Sequence, residues 1–517
     1  MIKHLLIAFV PLLLLLALPF ALKPKQAPEL PGGDTEKLVI ISPHSESIRY
    51  EFEHAFKRHY REKYGRDIEF EWRNVGGTSD IIRYVNDRFE AAFREWWQAR
   101  PELGPWNADT ARAYKSKDGG KARKIFLGSD VGIGIDLMFG GGQYDHSKQA
   151  ERGIAVDAGL LRSRPEWFTD TIIPQQFSGE VLYDPQGRYY GTCLATFGIC
   201  YNQDRIRELK LPPPRRWEDL ADPAYYQNIA LADPTKAGSI TKCFEMLIQE
   251  QMQKSGDNRE IGWTNAVNLI KRISANARYF TDSASKVPKD VASANAAAGM
   301  CIDFYGRSEA EWSTAQNGGV ERIRFVSPEH GTSLSADPIH LMRGAPNREA
   351  AVAFITFVLS EEGQKLWNYR LGTPGGPVKY AMRRLPIRRD MYTPDHIKYM
   401  SDAGANPYDE ASGFVYNPKL TGRYFNFIRI VVKCFALDPM PELQAAWKAI
   451  LDAGGPEKVP QAAAVFNRLP FGYSDLAAIQ RELSQNNALT LLKYQREWSE
   501  ACRRQYREAE KLAKEGK

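Results

Sequence analysis

The hydrophobic positions of this chain change period several times between residues 38 and 370, and the changes mark its elements. LVIISPH (38–44) is a short apolar run and predicts a buried strand. The stretch after it, SESIRYEFEHAFKRHYREKYG, has apolar residues three and four apart and predicts an amphipathic helix. IEFEWRN alternates as a second strand does. It runs into NVGGTSDIIRYV (74–85), where Gly76 and Gly77 precede small hydroxyl and acidic residues and a new helical period. GIGIDLMFGGG (132–142) predicts a third strand ended by three glycines. Alternation of strand and helix argues for an α/β layer with parallel strands.

YYGTCLATFGICYN (189–202) is a long β-rich stretch that interrupts this alternation, and LPPPRRWEDLADPAY after it is a turn-rich linker. Alternation resumes through NIALADPTKAGS, RYFTDSAS and GMCIDFYG. IRFVSPEHGTSLSADPIHLMRG then leads to the helical stretch EAAVAFITFVLSEEGQKLW. Two α/β blocks joined by extended segments predict two lobes around a cleft. Between the second and third strands, FREWWQARPELGPWNADTARAYKSKDGGKARK is rich in Pro, Gly and Lys and predicts an inserted surface excursion. Its Trp96 and Trp97 fit either a stabilised insertion or a partner-docking cluster. The last hundred-odd residues have helical patterns. Leu491, Tyr494, Trp498 and Cys502 form one stripe, which suits a packing helix or a partner-binding one.

Composition narrows the classes. The chain has 517 residues, 43% hydrophobic and 26% charged, with a net charge of +6, so sizeable cores are expected. No basic stripe with interleaved aromatics points to nucleic acid. An apolar run from Leu5 to Leu22 follows Lys3 and His4 and closes at Lys23 and Lys25. It predicts a secretory signal or signal-anchor over residues 1–25, with no A-x-A site at its end; an uncleaved anchor is the favoured form. The charge placement leaves the body outside the cytoplasm, on a Pro/Gly tether over 26–36. Six cysteines include no C-x-x-C pair, so they are expected to be buried thiols rather than a zinc site. No nucleophile elbow, H-E-x-x-H, Walker loop or G-x-G-x-x-G before a helix is present, which leaves only a dispersed site for an enzyme.

The stretches LVIISPH, GGTSD, IDLMFGGG, YYGTCLATFGICYN, ADPTKAGS, GMCIDFYG, SPEHGTS and APNREAAVAFITFVLSEEGQKLW, with LPIRRD after them, together resemble a known family. The chain looks like a bacterial ABC-transporter extracellular solute-binding protein, of the group that includes ferric-ion, phosphonate, thiamine and polyamine binders. The resemblance spans roughly residues 37 to 390 and covers neither the excursion near 90–128 nor the region after about 400. It implies a two-lobed periplasmic-binding-protein (type II) α/β fold with hinge strands, to which this chain adds a C-terminal helical extension. Lobe 1 would comprise 37–192 and 335–400, lobe 2 would comprise 193–334, and the extension 401–517. It further implies a periplasmic or envelope location and a monomer without cofactor. The partners would be a small solute, an ABC permease with its ATPase, and the membrane through the N-terminal segment.

Ligand contacts are expected on loops beyond the carboxyl ends of strands. These loops offer Ser42 and His44, then Gly77, Thr78 and Ser79, then Gly141, Gly238 with Ser239, and Ser283. Free amides and hydroxyls at a helix N-terminus suit an anion or polar oxygens; the competing reading is that Thr78, Ser79 or Ser239 only cap their own helices. Ferric binders of the resembled family use two adjacent tyrosines with a histidine and a glutamate. GMCIDFYG has Phe304 before Tyr305, and IDLMFGGG places glycine where the glutamate would lie. An oxyanion-bearing, non-ferric solute is therefore expected, with Tyr305 bonding or stacking and Asp303 holding a cationic group or a hinge salt bridge. A membrane-tethered ligand sensor and a ferric-ion binder are the alternatives.

Overall fold

The computed structural model describes residues 36–116, 119–256, 258–485 and 488–517. The expected signal-anchor and most of the tether lie outside the described residues. Among those described, no helix is long and apolar enough to cross a membrane.

The first sheet starts from β1 (Glu36–Ile41), whose last four residues are buried as a parallel strand covered on both faces requires. The helix Glu46–Tyr64 returns across it, laying Ile48, Phe52, Phe56 and Tyr60 on the sheet before Gly65 ends it in the left-handed conformation. β2 (Ile68–Arg73) pairs parallel with β1, and β3 (Leu137–Phe139) pairs parallel on the other side. The short β4 (Ala155–Val156) and the hairpin of β5 (Gln176–Phe177) and β6 (Glu180–Val181) follow. β7 (Tyr190–Ala195) then completes the run on this side.

At Thr196 the chain passes straight from β7 into β8 (Phe197–Asn202), which belongs to a second sheet. That sheet is completed by β9 (Ile229–Ala232), β10 (Ala277–Thr281), β11 (Ala298–Ile302) and β12 (Ile323–Val326), in the order β10-β9-β11-β8-β12. The chain returns through residues 327–334 to β13 (Ser335–Met342). With β14 (Leu385–Pro386), the first sheet reads β14-β7-β13-β3-β1-β2. The two crossings are tied where they pass. Phe197 N donates to Thr332 Oγ1 at 3.0 Å, and the Thr196 and Ser327 hydroxyls are 3.1 Å apart. This is the two-lobed α/β frame with hinge strands that the sequence led us to expect.

Two regions depart from the expectation. The excursion is not only surface. Residues Thr78–Gln98 form one continuous helix, and its Phe93 and Trp97 pack with Tyr114 and Phe126 from the helices Ala108–Lys115 and Lys121–Gly128 in a core that also takes in Val39, Ile41 and Met138 of the first sheet. Trp97 is 3% exposed, so it is packed rather than presented to a partner. The C-terminal region is helical, as expected, but it shares a core with the second lobe. Phe427, Val431, Trp447, Phe466, Trp498 and Tyr506 join the same cluster as Phe244, Trp263 and Ile270. The stripe on the helix Ala488–Lys514 is the reason, since Trp498 and Cys502 are buried in that cluster.

Candidate functional site

The carboxyl ends of β1, β2 and β3 bring three loops to one edge of the first sheet. The first turn of the helix Asp303–Gln316, from the second sheet, faces them. Between them lies a cavity of about 490 Å3, within the range of small-molecule sites. His44, Thr78, Gly141 and Tyr305 line it, and so do Asp337 and Arg384, which sequence reasoning did not single out. Ser45, Ser47 and Ser308 add hydroxyls.

The other expected residues are placed differently. Ser42 is buried, donates to Phe139 O at 2.7 Å and accepts from His44 N at 3.1 Å, so it orients the loop that carries His44. Gly77 N donates to Asp80 Oδ2 at 3.3 Å and Gly76 N to Asn74 Oδ1 at 3.1 Å, so this helix mouth is served by its own side chains. Ser79 is exposed and does not line the cavity. Gly238 and Ser239 open the helix Gly238–Lys254, where Arg429 from the C-terminal region donates to Thr241 Oγ1 at 3.1 Å. Ser283 is 2.9 Å from the Ser285 hydroxyl. Asp303 is buried, accepting from Phe304 N at 2.7 Å and from Arg307 Nη1 at 3.0 Å. Burial lifts its carboxyl to about 7, against the pull of Arg307. Gly238, Ser239, Ser283 and Asp303 do not line the cavity.

Two of the three glycines ending β3 are required by close approach. A β-carbon at Gly140 (φ +94°) would stand 2.4 Å from His44 Nε2, and one at Gly141 (φ +104°) 2.8 Å from Thr78 Cγ2. Beneath them, His146 Nε2 donates to Gly140 O at 3.0 Å, so its Nδ1 is the acceptor in the 2.8 Å contact with His340 Nδ1. That leaves His340 Nε2 without a proton, and this buried nitrogen has no partner. Burial holds His340 well below the usual histidine range and His146 at about 4.

Charge on the cavity wall is concentrated in three groups. Arg384 pairs with Asp337, and its guanidinium lies 4.0 Å from the centre of the Phe304 ring. Asp337 Oδ2 is 3.5 Å from His44 Nε2. Burial alone would raise Asp337, but Arg384 and His44 outweigh it and hold the carboxyl below its ordinary value. Burial pushes His44 down more than Asp337 lifts it, and Arg384 adds to the fall. At neutral pH the site therefore presents a carboxylate, a guanidinium and a neutral imidazole. Neither ring nitrogen of His44 makes a hydrogen bond within the protein. Buried polar atoms are nearly always satisfied, so two unpartnered nitrogens on a residue that lines the cavity mark a group the protein itself leaves unanswered. Asp337 and Arg384 come from a hinge strand and from the loop before β14, 47 residues apart. The sole signal for Arg384 was the arginine pair in RRLPIRRD.

Two α/β lobes enclosing a polar cleft beside their crossing strands define a two-lobed binding protein. The family described as bacterial extracellular solute-binding protein matches residues 135–391, and over that stretch the chain is similar to it. Iron uptake protein A1 of Synechocystis is 24% identical over 215 residues, covering 41% of this chain and 54% of its own. The phosphoglycerate transport regulatory protein PgtC of Salmonella typhimurium is 23% identical over 170 residues, covering 33% of this chain and 38% of its own. Among solved structures, the periplasmic binding protein AfuA of Actinobacillus pleuropneumoniae, with fructose-6-phosphate bound, aligns with TM-score 0.46 at 18% identity, covering 77% of this chain and 99% of that one. The chain spans 60% and 54% of the first two curated relatives it matches.

Proposed function

We propose that this protein is the extracytoplasmic binding component of an ABC importer, and that it takes a small oxyanion-bearing solute, not ferric ion, between its lobes for delivery to a membrane permease and its ATPase. Arg384 carries this reading. It is a largely buried guanidinium on the cavity wall, near a neutral imidazole whose two nitrogens have no hydrogen-bond partner in the protein. A guanidinium fork and hydroxyls match a carboxylate, phosphonate or phosphate ester in geometry and sign. A trivalent cation would meet the Arg384 charge, with Phe304 in place of a second phenol and no room for a side chain at Gly140 or Gly141. Iron uptake in one relative's name therefore does not carry over to this chain, whereas the phosphorylated acid in the other's name agrees with the oxyanion reading.

In this proposal His44, Thr78, Gly141 and Tyr305 touch the solute together with Arg384, and Ser42 and Asp303 orient them. Gly77, Ser79, Gly238, Ser239 and Ser283 are left to capping and turns. The lobes, 37–192 with 335–400 and 193–334, close about the crossing strands, while 401–517 rides on the second lobe. Closure is driven by the difference in affinity between closed and open forms. The protein works as a monomer in the periplasm, held to the membrane by residues 1–25, and performs no covalent chemistry. PgtC is named a transport regulatory protein, which favours a tethered sensor as the second reading. Loss of solute uptake on deletion would rule that reading out.

Native mass spectrometry of the purified protein, before and after mild denaturation, tests the proposal. A small anion is expected in the released fraction. Bound iron would overturn the non-ferric assignment. If the protein is empty, a thermal-shift panel of phosphonates, phosphate esters, carboxylates and amines decides. A shift with amines alone, or one unchanged in Arg384→Ala, would remove the oxyanion reading.

A further inference from the structure

A second cavity, of about 390 Å3, lies at the other end of the first lobe. β13 carries Asp337 at the cleft, and Arg343 follows its far end; six residues of strand separate them, about 20 Å. The helix Gln143–Arg152 likewise starts beside Gly142 at the cleft and ends beside Gly153 at this cavity. Arg343 and Arg123 both line it, Arg123 coming from the excursion helix Lys121–Gly128.

These two arginines have no carboxylate partner among the described residues. Arg123 donates from Nη2 to Glu151 O at 2.6 Å and from Nη1 to Arg152 O. Arg343 donates from Nε to Gly153 O at 2.7 Å, and from Nη1 to Leu127 O at 3.0 Å and Ser129 O at 2.7 Å. Its Nη2 bonds to nothing among the described residues. Backbone carbonyls thus hold both forks in place and leave N–H edges open. The two guanidinium groups lie near each other, because a β-carbon at Gly153 would lie 3.7 Å from Nη2 of each; Arg343 Nη2 is unbonded among the described residues, and Arg123 keeps Nε and the second proton of the Nη2 that serves Glu151 O. The acidic residues at the cavity are already engaged. Glu151 pairs with Lys148 at 2.9 Å and Asp157 with Arg162 at 2.6 Å, while Asp184 holds the third arginine, Arg188, through two 2.7 Å bonds. Each of Arg123 and Arg343 is depressed first by burial, and Arg343 further by the charge of Arg123. Two neighbouring guanidinium groups without a counter-ion repel, and an oxyanion between them removes that repulsion while filling their open donors.

We infer that the first lobe has a second anion site, in which the open N–H edges of Arg123 and Arg343 bind a phosphate-class oxyanion, free or as the end group of a soluble ester. The site is separate from the cleft and does not rest on the function proposed for it. It belongs to the excursion, because the helix Lys121–Gly128 supplies one of its two forks.

Isothermal titration of the full-length protein with inorganic phosphate is the test, run on the unaltered chain, on Arg384→Ala to disable the cleft, and on Arg343→Gln. One binding event should persist in Arg384→Ala, and it should weaken tenfold or more in Arg343→Gln. Arg123→Gln, which touches fewer carbonyls, provides the same reading if Arg343→Gln does not fold. Loss of all phosphate binding in Arg384→Ala would overturn the inference. So would unchanged affinity in a folded arginine variant, or an equal response to chloride at matched ionic strength. Co-sedimentation with phosphatidylglycerol vesicles that is lost in Arg123→Gln, with no response to free phosphate, would assign a lipid head group and overturn the soluble-anion assignment.

Discussion

The Arg384 cluster and a second cluster around Lys242 are both largely buried, and both set one cation against carboxylate charge where parts of the chain meet, but the first lines the cleft cavity while the second is answered by its own partners. Lys242 Nζ is 2.8 Å from Glu180 and 3.0 Å from Glu245, and it lies 3.6 Å from the centre of the Tyr416 ring. Tyr416 and Thr421 donate to Glu245 at 2.9 and 2.6 Å, and Ser333 donates to Glu180 at 3.0 Å. These groups come from the β5–β6 hairpin, the second lobe and the C-terminal region, and together they join the three. Around Arg384, by contrast, both imidazole nitrogens lack a hydrogen-bond partner, and Arg384, Asp337 and several hydroxyls line a cavity. The difference separates architecture from function. A buried charge set whose members answer one another fixes how segments meet. One with open members beside a cavity is built for an absent partner.

The largest expected effect comes from breaking the answered cluster. Lys242→Met leaves Glu180 and Glu245 facing each other without a cation, and removing one partner of a buried ionic set costs about 3–5 kcal/mol. Urea unfolding should show that loss, with solute affinity of the folded fraction little changed. A loss below about 1 kcal/mol, the value of an exposed pair, would mean that the cluster is not what holds the three segments together.

Arg384→Ala should do the reverse. Removing a buried charge that meets a ligand oxyanion costs about 2–5 kcal/mol of binding, roughly 30-fold or more in affinity. Stability should fall less than in Lys242→Met, because His44 beside Asp337 can take a proton in place of the lost cation. Solute titration paired with urea unfolding reads both quantities. A variant that binds normally but unfolds easily would place Arg384 with the architectural cluster.

The imidazoles under the cleft provide a pH test of intermediate size. His44, His146 and His340 are all depressed in the folded protein by burial, so the unfolded chain binds more protons below the ordinary histidine value of 6.5. Their contribution is therefore present above pH 6.5 and is lost as pH falls toward the folded values. For His146, which reaches about 4, the loss by pH 5 is about 2 kcal/mol, since a tenfold difference in proton affinity between the folded and unfolded chain corresponds to about 1.4 kcal/mol. The buried carboxyls of Asp303 and Glu250, each lifted to about 7, contribute with the opposite sign between pH 7 and 5, so the histidine part is read as the difference between the unaltered protein and His146→Gln. Relative to the unaltered protein, His146→Gln should lose less stability as pH falls from 7 to 5, and an unchanged slope in that variant would remove the His146–His340 chain as a source.

Much of the frame was legible because it is written locally. Period changes located the strands, the glycines located the turns that need them, and the loop rule offered His44, Thr78 and Gly141, the family resemblance Tyr305, all of which line one cavity. What was not legible depends on partners distant in sequence. Asp337 sits in an ordinary hinge strand, and nothing local sets Arg384 apart from the arginines around it, until the fold sets the two against each other. The amides of Gly76 and Gly77 suggested an anion mouth, but Asn74 and Asp80, two and three residues away, take them. Composition left the tryptophans of the excursion between a stabilised insertion and a docking cluster, since its Pro and Gly content hides a helix whose Phe93 and Trp97 pack with Tyr114 and Phe126 in one core.

The smallest expected effect sharpens the chemistry of the cleft itself. Phe304→Tyr places a second phenol beside Tyr305, whose ring centre is 4.4 Å from that of residue 304. If side-chain identity at this one position decided the ligand, the variant would gain ferric ion and show visible phenolate-to-iron absorbance with ferric citrate. The expectation here is no such band, because the Arg384 guanidinium lies 4.0 Å over that ring and the β3 loop at Gly140 and Gly141 has no space for a further carboxylate. Solute affinity should change by less than about 1 kcal/mol, the size of a modest cation–π change. A ferric band would show that the Arg384–Asp337 pair can be displaced by a metal. Arg384 would then lose its standing as the group that sets the sign of the ligand, and the contrast between the two charge clusters would rest on His44 alone.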